Sequence, residues 1–192
     1  MQSASYMQST RKTDRGFTLL ELMVGITILG VLLGIGVPAF NEITRNNRTT
    51  AQANELITAL SLARSEASKR GMPVSVCAAD AAQTACAGPA VGDWSNGWLV
   101  FSDRVGTAGV IDAAVPVDAG DQILQTSHAV TNGLQLTTNN IGFVRYGANG
   151  GRINPAADFT FGLQHQQCTG DNRRAVTIIA TGRANLAKVA CI

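Results

Sequence analysis

The sequence predicts an α+β protein, in which a long N-terminal helix with a transmembrane first half packs on an antiparallel β-sheet domain. Three observations lead to this fold class. Residues 17–40 form an almost uncharged apolar run. Residues 41–70 continue it with helical periodicity, and residues 71–192 break into short β-type runs separated by glycine and asparagine. We therefore expect a leader at 1–16, a membrane helix, its amphipathic continuation and a globular sheet domain.

The apolar run of residues 17–40 contains 24 residues and one charge, Glu21. About 20 apolar residues let a helix cross the hydrocarbon core of a bilayer. The run is therefore long enough to span, and Glu21 indicates a function because a carboxylate at the bilayer centre costs about 2.5–3.5 kcal/mol. The polar residues 1–16 carry three basic side chains and one acid, which should hold them on the cytoplasmic side of the membrane.

The second half of the helix is predicted to be amphipathic. Its apolar side chains recur at spacings of three and four residues, which places them in one stripe. Pro38 removes a backbone hydrogen bond and predicts a kink before this stripe. Lys69 and Arg70 suit the negative end of a helix, and Gly71 is a stop signal. The stripe consists of Ala53, Leu56, Ile57, Leu60, Ala63 and Ala67.

After Gly71, seven short apolar runs are predicted as strands, because they contain β-branched and aromatic residues and are bounded by turn residues. Asn149-Gly150 predicts a hairpin turn between Tyr146 and Arg152. The predicted strands are Val74–Ala78, Gly97–Asp103, Gln122–Ser127, Leu134–Thr137, Ile141–Tyr146, Phe159–Leu163 and Ala175–Thr181.

Charge is distributed unevenly along the chain. The formal net charge is +2, and residues 1–16 account for all of it. Residues 71–144 hold six acidic side chains and one basic, a net of −5, whereas residues 145–192 hold six basic and two acidic, a net of +4. The C-terminal part is therefore a modestly cationic region that suits an anionic partner.

Four cysteines lie after the apolar run, and their even number indicates an oxidising compartment with two disulfides. Three connectivities are open, and proximity in sequence favours Cys77–Cys86 and Cys168–Cys191. No C-x-x-C spacing is present, so we expect no metal site.

The sequence contains no P-loop, H-E-x-x-H or G-x-S-x-G motif. His128 and His165 are interpreted as surface or loop residues. We therefore expect no catalytic residue, no cofactor and no enzymatic activity.

The stretch Gly16-Phe17-Thr18-Leu19-Leu20-Glu21, with its basic leader and long apolar run, resembles the class III signal of type IV pilins and type II secretion pseudopilins. The resemblance implies that a prepilin peptidase cuts after Gly16, that Phe17 is then N-methylated, and that Glu21 is the fifth mature residue. A signal anchor or a secretory signal peptide is the alternative, but a secretory apolar region has about 7–15 residues and ends in a small-residue cleavage site.

Glu21 has a physical role in this interpretation. In a filament of bundled helices, its carboxylate could pair with the Phe17 amine of a neighbouring subunit. Burying either charge alone would be strongly unfavourable, so the pair would select one axial register.

Three further stretches resemble the GspH/FimT branch of pilin-like proteins: Trp94–Asp103, Ala63–Ala67 followed by Arg70-Gly71, and Val176–Arg183. The resemblance implies the type IV pilin-like fold. From the residues alone, Trp94 and Trp98 are expected to pack against the helix stripe, with an aromatic binding surface as the alternative.

The branch implies a minor pilin that primes pilus assembly and lies at or near the tip, serving twitching motility and adhesion. A GspH-type minor pseudopilin of a type II secretion system and a DNA-binding minor pilin for natural transformation are the alternatives, and a membrane-anchored enzyme is a weaker one. The expected partners are prepilin peptidase, other minor and major pilins or pseudopilins, and the inner membrane. The expected location is the inner membrane in a single pass, with a periplasmic C-terminal domain that assembles into a pilus or a pseudopilus.

Some FimT-type proteins bind DNA through a C-terminal Gly-Arg-x-Arg motif. The matching place here is Gly182-Arg183-Ala184-Asn185, in which Asn185 replaces the second arginine. Salt-sensitive contacts to DNA phosphates would be the expected mode of binding, and a solvated face that balances the acidic middle of the chain is the alternative. The candidate DNA-binding residues are Arg173, Arg174, Arg183 and Lys188.

Overall fold

The computed structural model describes residues 16–104, 106–112, 120–130 and 133–192, so the predicted leader lies outside the described residues except for Gly16. The described part contains one long helix, α1 (Leu19–Arg70), and nine strands. The strands are β1 (Val74–Ala78), β2 (Trp98–Ser102), β3 (Ile123–Thr126), β4 (Leu134–Thr137), β5 (Phe143–Tyr146), β6 (Arg152–Asn154), β7 (Phe159–His165), β8 (Arg173–Ile178) and β9 (Ala184–Val189).

The chain divides into two units, residues 1–42 and residues 43–192. In the first unit, every large apolar side chain from Phe17 to Phe40 is exposed. By length and composition this part of α1 could cross a membrane, and none of its most apolar window is buried. Helix α1 continues through Pro38 and ends at Arg70, directly before Gly71, as the sequence predicts.

The second unit contains two antiparallel sheets. One has five strands in the order β3-β2-β1-β5-β6, and the other has four in the order β4-β7-β8-β9. In the first sheet Val76 of β1 lies opposite Val100 of β2 and Val144 of β5. In the second sheet β8 pairs along its whole length with β9, from Arg173 opposite Val189 to Ile178 opposite Ala184.

The core of the second unit lies between α1 and the two sheets. Five of the six side chains of the predicted apolar stripe are buried there, together with side chains from β1, β2, β4, β5, β7 and β8, and Ile57 packs against this core partly buried. Trp94 and Trp98 are both fully buried in this core, as predicted, rather than forming an aromatic surface. The Trp94 ring meets Phe161 edge-on at 4.8 Å, and its Nε1 donates to the Ile141 carbonyl at 2.8 Å, so the buried indole keeps a hydrogen-bond partner.

The opposite face of the five-stranded sheet carries a smaller core. Cys77, Ala79, Leu99, Phe101 and Phe143 form it. Strands β1 and β2 are therefore buried on both faces, which explains why, apart from Ser75 and Ser102, apolar residues occupy successive positions in them rather than alternate ones.

Two disulfides close the second unit. Cys77 is joined to Cys86, with the Cα atoms 5.6 Å apart, and this bond ties β1 to the connection that follows it. Cys168 is joined to Cys191, with the Cα atoms 5.8 Å apart. The second bond ties the β7–β8 connection to the segment after β9.

Candidate functional site

The N-terminal end of α1 is built as a capped helix start. Thr18 precedes the first helical residue, and its Oγ1 accepts a hydrogen bond from the Glu21 backbone nitrogen at 3.2 Å. Thr18 and Glu21 thus have the spacing of a capping box, in which a threonine at the cap is followed three residues later by a glutamate. Glu21 lies in the first turn, where the positive end of the helix dipole favours a carboxylate.

Phe17 and Glu21 are both exposed at this helix start, and the Phe17 side chain is 83% exposed. A cut after Gly16 would place the new amine one helical turn from the Glu21 carboxylate. The arrangement therefore presents a potential cation, a carboxylate and a phenyl ring together at the end of an apolar rod. Their roles in processing and assembly stay predictions.

The structure separates the four cations predicted as DNA-binding residues. Arg173 and Arg174 are neighbours on β8, so their side chains point to opposite faces of the sheet. Lys188 on β9 lies opposite Arg174, and Arg183 lies in the turn between the two strands. Arg173, Arg183 and Lys188 keep exposed surface, and Arg174 does not.

Arg174 is a contact between sheet and helix. Its side chain is buried, and its Nη2 donates to Asn46 Oδ1 at 2.6 Å and to Thr50 Oγ1 at 3.0 Å. Both acceptors lie on α1, so this guanidinium joins β8 to the helix. The DNA-binding interpretation stays a prediction, with the exposed Arg183 and Lys188 and the half-buried Arg173 to carry it.

A cleft of about 490 Å³ lies between the last turns of α1 and the β8–β9 turn. Two arginines, three serines and the backbone of the turn line it. The lining residues are Leu60, Ser61, Arg64, Ser65, Ser68, Gly182, Arg183 and Ala184.

Two glycines fix the shape of this cleft. Gly182 has a φ of +80°, and a Cβ on it would lie 2.5 Å from the Gly150 carbonyl oxygen. Gly150 has a φ of +72°, and a Cβ on it would lie 2.8 Å from Ser68 Oγ. Helix α1, the β5–β6 turn and the β8–β9 turn therefore meet at a distance that only glycine permits.

The cleft has uncompensated positive charge. Arg64 Nε donates to the Gly150 carbonyl at 3.1 Å, which orients the guanidinium and uses one of its five donors. Within the described part of the chain, neither Arg64 nor Arg183 forms an ion pair with an acid. Nearby, burial raises the pKa of the Tyr146 hydroxyl, and the charges of Arg64 and Arg152 oppose this effect only in part.

Arg183 was identified from the sequence, whereas Arg64 was not singled out there as a candidate. The signal that could have found Arg64 is its spacing from Ser61, Ser65 and Ser68, which puts one cation and three hydroxyls near one helix face. Among the described residues, no group of three histidine, cysteine, aspartate or glutamate side chains could hold a metal ion.

Two family models match the chain. One, described as the type II transport protein GspH, matches residues 52–182, which is about two thirds of the 192 residues. The other, described as the prokaryotic N-terminal methylation motif, matches residues 11–37 and so includes Gly16, Phe17 and Glu21.

Curated relatives match over shorter stretches. A fimbrial protein of Pseudomonas aeruginosa is 33% identical over 63 residues, which cover 33% of this chain and 40% of that protein. The type IV major alpha-pilin of Moraxella bovis is 43% identical over 43 residues, which cover 22% of this chain and 27% of that protein. The chain therefore matches less than half of the length of these relatives.

Solved structures establish the fold. The type IV minor pilin FimU of Pseudomonas aeruginosa strain PAO1 superposes with a TM-score of 0.55 at 24% identity, over 76% of this chain and 92% of that one. A second crystal form of FimU gives a TM-score of 0.51 over 72% of this chain. The predicted fold, a long apolar N-terminal helix packed on antiparallel sheets, is thereby confirmed.

Proposed function

Because the chain belongs to the GspH family of pilin-like proteins and carries the prokaryotic N-terminal methylation motif, we propose that it is a minor pilin of a type IV pilus. In this role it helps to start filament assembly and lies at or near the pilus tip, where it serves motility and adhesion. Its contribution is structural rather than catalytic.

One observation carries this proposal. The first part of α1 exposes its apolar side chains on every side, while residues 43–192 form a domain with a core of its own. Apolar surface in water is unfavourable by roughly 25 cal/mol per Å², so such a helix needs lipid or other apolar helices around it. A subunit that is first anchored in the inner membrane and then joins a bundle of helices has apolar surroundings in both states, first lipid and then the helices of other subunits.

Processing by prepilin peptidase supplies the transition between these two states. Removal of residues 1–16 takes away three basic side chains and one acid, and with them the cationic flank that opposes extraction from the membrane. The cut also creates the Phe17 amine beside Glu21. Other minor and major pilins are the partners that the exposed helix then contacts.

The N-terminus of the protein in its native host tests this proposal directly. Intact-mass spectrometry of the full chain from purified membranes and from sheared filaments should show a species that begins at methylated Phe17 in both fractions. The Gly16→Ala variant should remain uncut and stay in the membrane fraction. An unmethylated full-length precursor as the sole species would overturn the proposal.

The alternative is a GspH-type minor pseudopilin, and the description of the matching family model favours it. The two functions differ in phenotype. Deletion of the gene should abolish twitching and surface pili if the chain is a pilus subunit, and should abolish export of secreted enzymes if it is a pseudopilin. Loss of transformation with normal piliation would instead favour the DNA-binding alternative.

A further inference from the structure

We infer that the cleft between α1 and the β8–β9 turn is a docking site for one carboxylate side chain, an aspartate or glutamate on the globular domain of an adjacent pilin subunit. The inference rests on the proposed function, since it requires neighbouring subunits. It assigns Arg64 and Arg183 as the pair of cations that receives the carboxylate.

The chemistry of the lining selects an anion. Arg64 and Arg183 line one cleft, and neither has an acidic partner within the part of the chain that the structure describes. Arg64 is fixed by its Nε contact to the Gly150 carbonyl, so its terminal nitrogens remain for a ligand. A guanidinium presents paired donors that match a carboxylate, and the hydroxyls of Ser61, Ser65 and Ser68 add neutral donors around it.

The arrangement of the remaining cations favours a single anion over a polyanion. A duplex presents a phosphate every few ångströms, and its binding strength grows with the number of phosphates contacted. Arg174 is occupied by Asn46 and Thr50, and Arg173 lies on the other face of the sheet. Neither Arg173 nor Arg174 therefore extends the charge of the cleft into a basic stripe, and Lys188 is not among the residues that line the cleft.

Charge complementarity identifies a pilin domain as the source of the carboxylate. In this chain, residues 71–144 carry a net charge of −5, and Asp80 and Asp93 lie there in connections between strands. A pilin domain can thus present an acidic connection at one place and a cationic cleft at another. Contacts between two different surfaces are heterologous, and heterologous contacts that do not close into a ring generate filaments.

Site-specific photo-crosslinking in the native host tests the inference. A diazirine amino acid at position 61, on the wall of the cleft, leaves both arginines in place. After irradiation of whole cells, crosslinked peptides are identified by mass spectrometry. We expect a peptide of another pilin subunit that contains an aspartate or glutamate, and at least a tenfold loss of this product in the Arg183→Glu and Arg64→Glu variants. Arg173→Glu, which reverses a charge on the opposite face, should leave the yield unchanged.

A charge-exchange experiment gives the decisive test. Changing the identified acid to arginine should restore the crosslink in the Arg183→Glu variant. Crosslinking to DNA, a yield that both reversals leave intact, or no restoration would overturn the inference. If the chain is found in filaments but the cleft variants behave as the parent, the inference fails and the proposed function stands. If the chain is never cut after Gly16, the proposed function fails and takes the inference with it.

Discussion

Arg174 shows that a cation in a basic region can belong to the core of the fold. It lies on the face of β8 that also carries Val176 and Ile178, and its guanidinium reaches Asn46 and Thr50 on the helix. A buried cation without acceptors would be costly, and the two oxygens on α1 satisfy its Nη2, whereas its buried Nη1 has no hydrogen-bond partner among the described residues. Residue type and local charge could not distinguish this role from a ligand contact, because both acceptors lie far away in sequence.

Replacing Arg174 by alanine should therefore lower the stability of the protein, because the substitution removes a structural contact. Hydrogen bonds to charged groups contribute about 1.5–3 kcal/mol, so we expect a loss of that size in the free energy of unfolding. Urea unfolding of the full chain in detergent, followed by tryptophan fluorescence, measures it. Arg173→Ala is the matched control and should stay within about 0.5 kcal/mol of the parent. Equal effects of the two substitutions would contradict the role of Arg174 as a contact that holds β8 to α1.

Tyr146 gives a spectroscopic test of burial. Desolvation raises the pKa of its hydroxyl, and after removal of the leader, which contains Tyr6, it is the chain's remaining tyrosine. We expect no tyrosinate absorbance in the processed native protein near pH 10, where an exposed tyrosine titrates. The unfolded chain loses its proton first, so the free energy of unfolding should fall as pH rises above about 10. The uncut precursor, in which Tyr6 absorbs near pH 10, is the control, and a native Tyr146 that titrated there would refute the burial.

Local sequence pattern correctly predicted the helices and strands whose conformation depends mainly on their own residues. The bounds of β1 and β4 agree with the prediction, and β2, β3, β5, β7 and β8 differ from it by a few residues at their ends. Helix α1 follows from its apolar stripe and from the stop at Gly71. These segments have strong periodicity or continuous β-branched runs, so their state depends little on distant partners.

Strands β6 and β9 were not predicted, because their state depends on their neighbours. Strand β6 has three residues and is set by the hairpin turn after β5. Strand β9 is Ala-Asn-Leu-Ala-Lys-Val, without a β-branched run, and it becomes a strand by pairing with β8. The candidate site divides in the same way. The motif around Glu21 is contiguous in sequence and was found. The cleft was not found, because Arg64 and Arg183, which line it together, are far apart in the sequence.

The Cys168–Cys191 bond should determine how firmly β9 is held in the sheet. Strand β9 is an edge strand with mostly exposed side chains, so pairing with β8 and this bond hold it in place. Closing a 23-residue loop stabilises a fold by about 3 kcal/mol in the chain-entropy description. The double variant Cys168→Ser/Cys191→Ser should show faster amide hydrogen exchange in β9 and unchanged exchange in β1. The Cys77→Ser/Cys86→Ser variant is the control, and unchanged protection of β9 would show that pairing alone suffices.

For the whole molecule, the decisive contrast lies between a helix segment whose large apolar side chains are exposed and a domain that has a buried core of its own. A chain cut after Gly16 would carry 12 basic and 12 acidic side chains, so its net charge would neither attract it to a membrane surface nor repel it from one. Under the proposed function, transfer from lipid to filament would then be controlled locally, by groups on the helix itself. Glu21 is the one charged side chain between Phe17 and Phe40, which makes it the place where this control can act.

Glu21→Gln should separate membrane insertion from assembly. Glutamine keeps the size and the helix start but removes the charge that would meet the Phe17 amine of a neighbouring subunit. Removing one partner of a buried ion pair costs about 3–5 kcal/mol, more than enough to shift the subunit from filament to membrane. Immunoblots of sheared filaments and membranes should show a normal amount of processed chain in the membrane and at least a tenfold lower share in filaments. Glu66→Gln is the matched control, because Glu66 pairs with Arg70 at the other end of the helix, and this pairing lowers the pKa of its carboxyl. Filament shares that were equal in the two variants would mean that apolar packing alone sets the register of assembly.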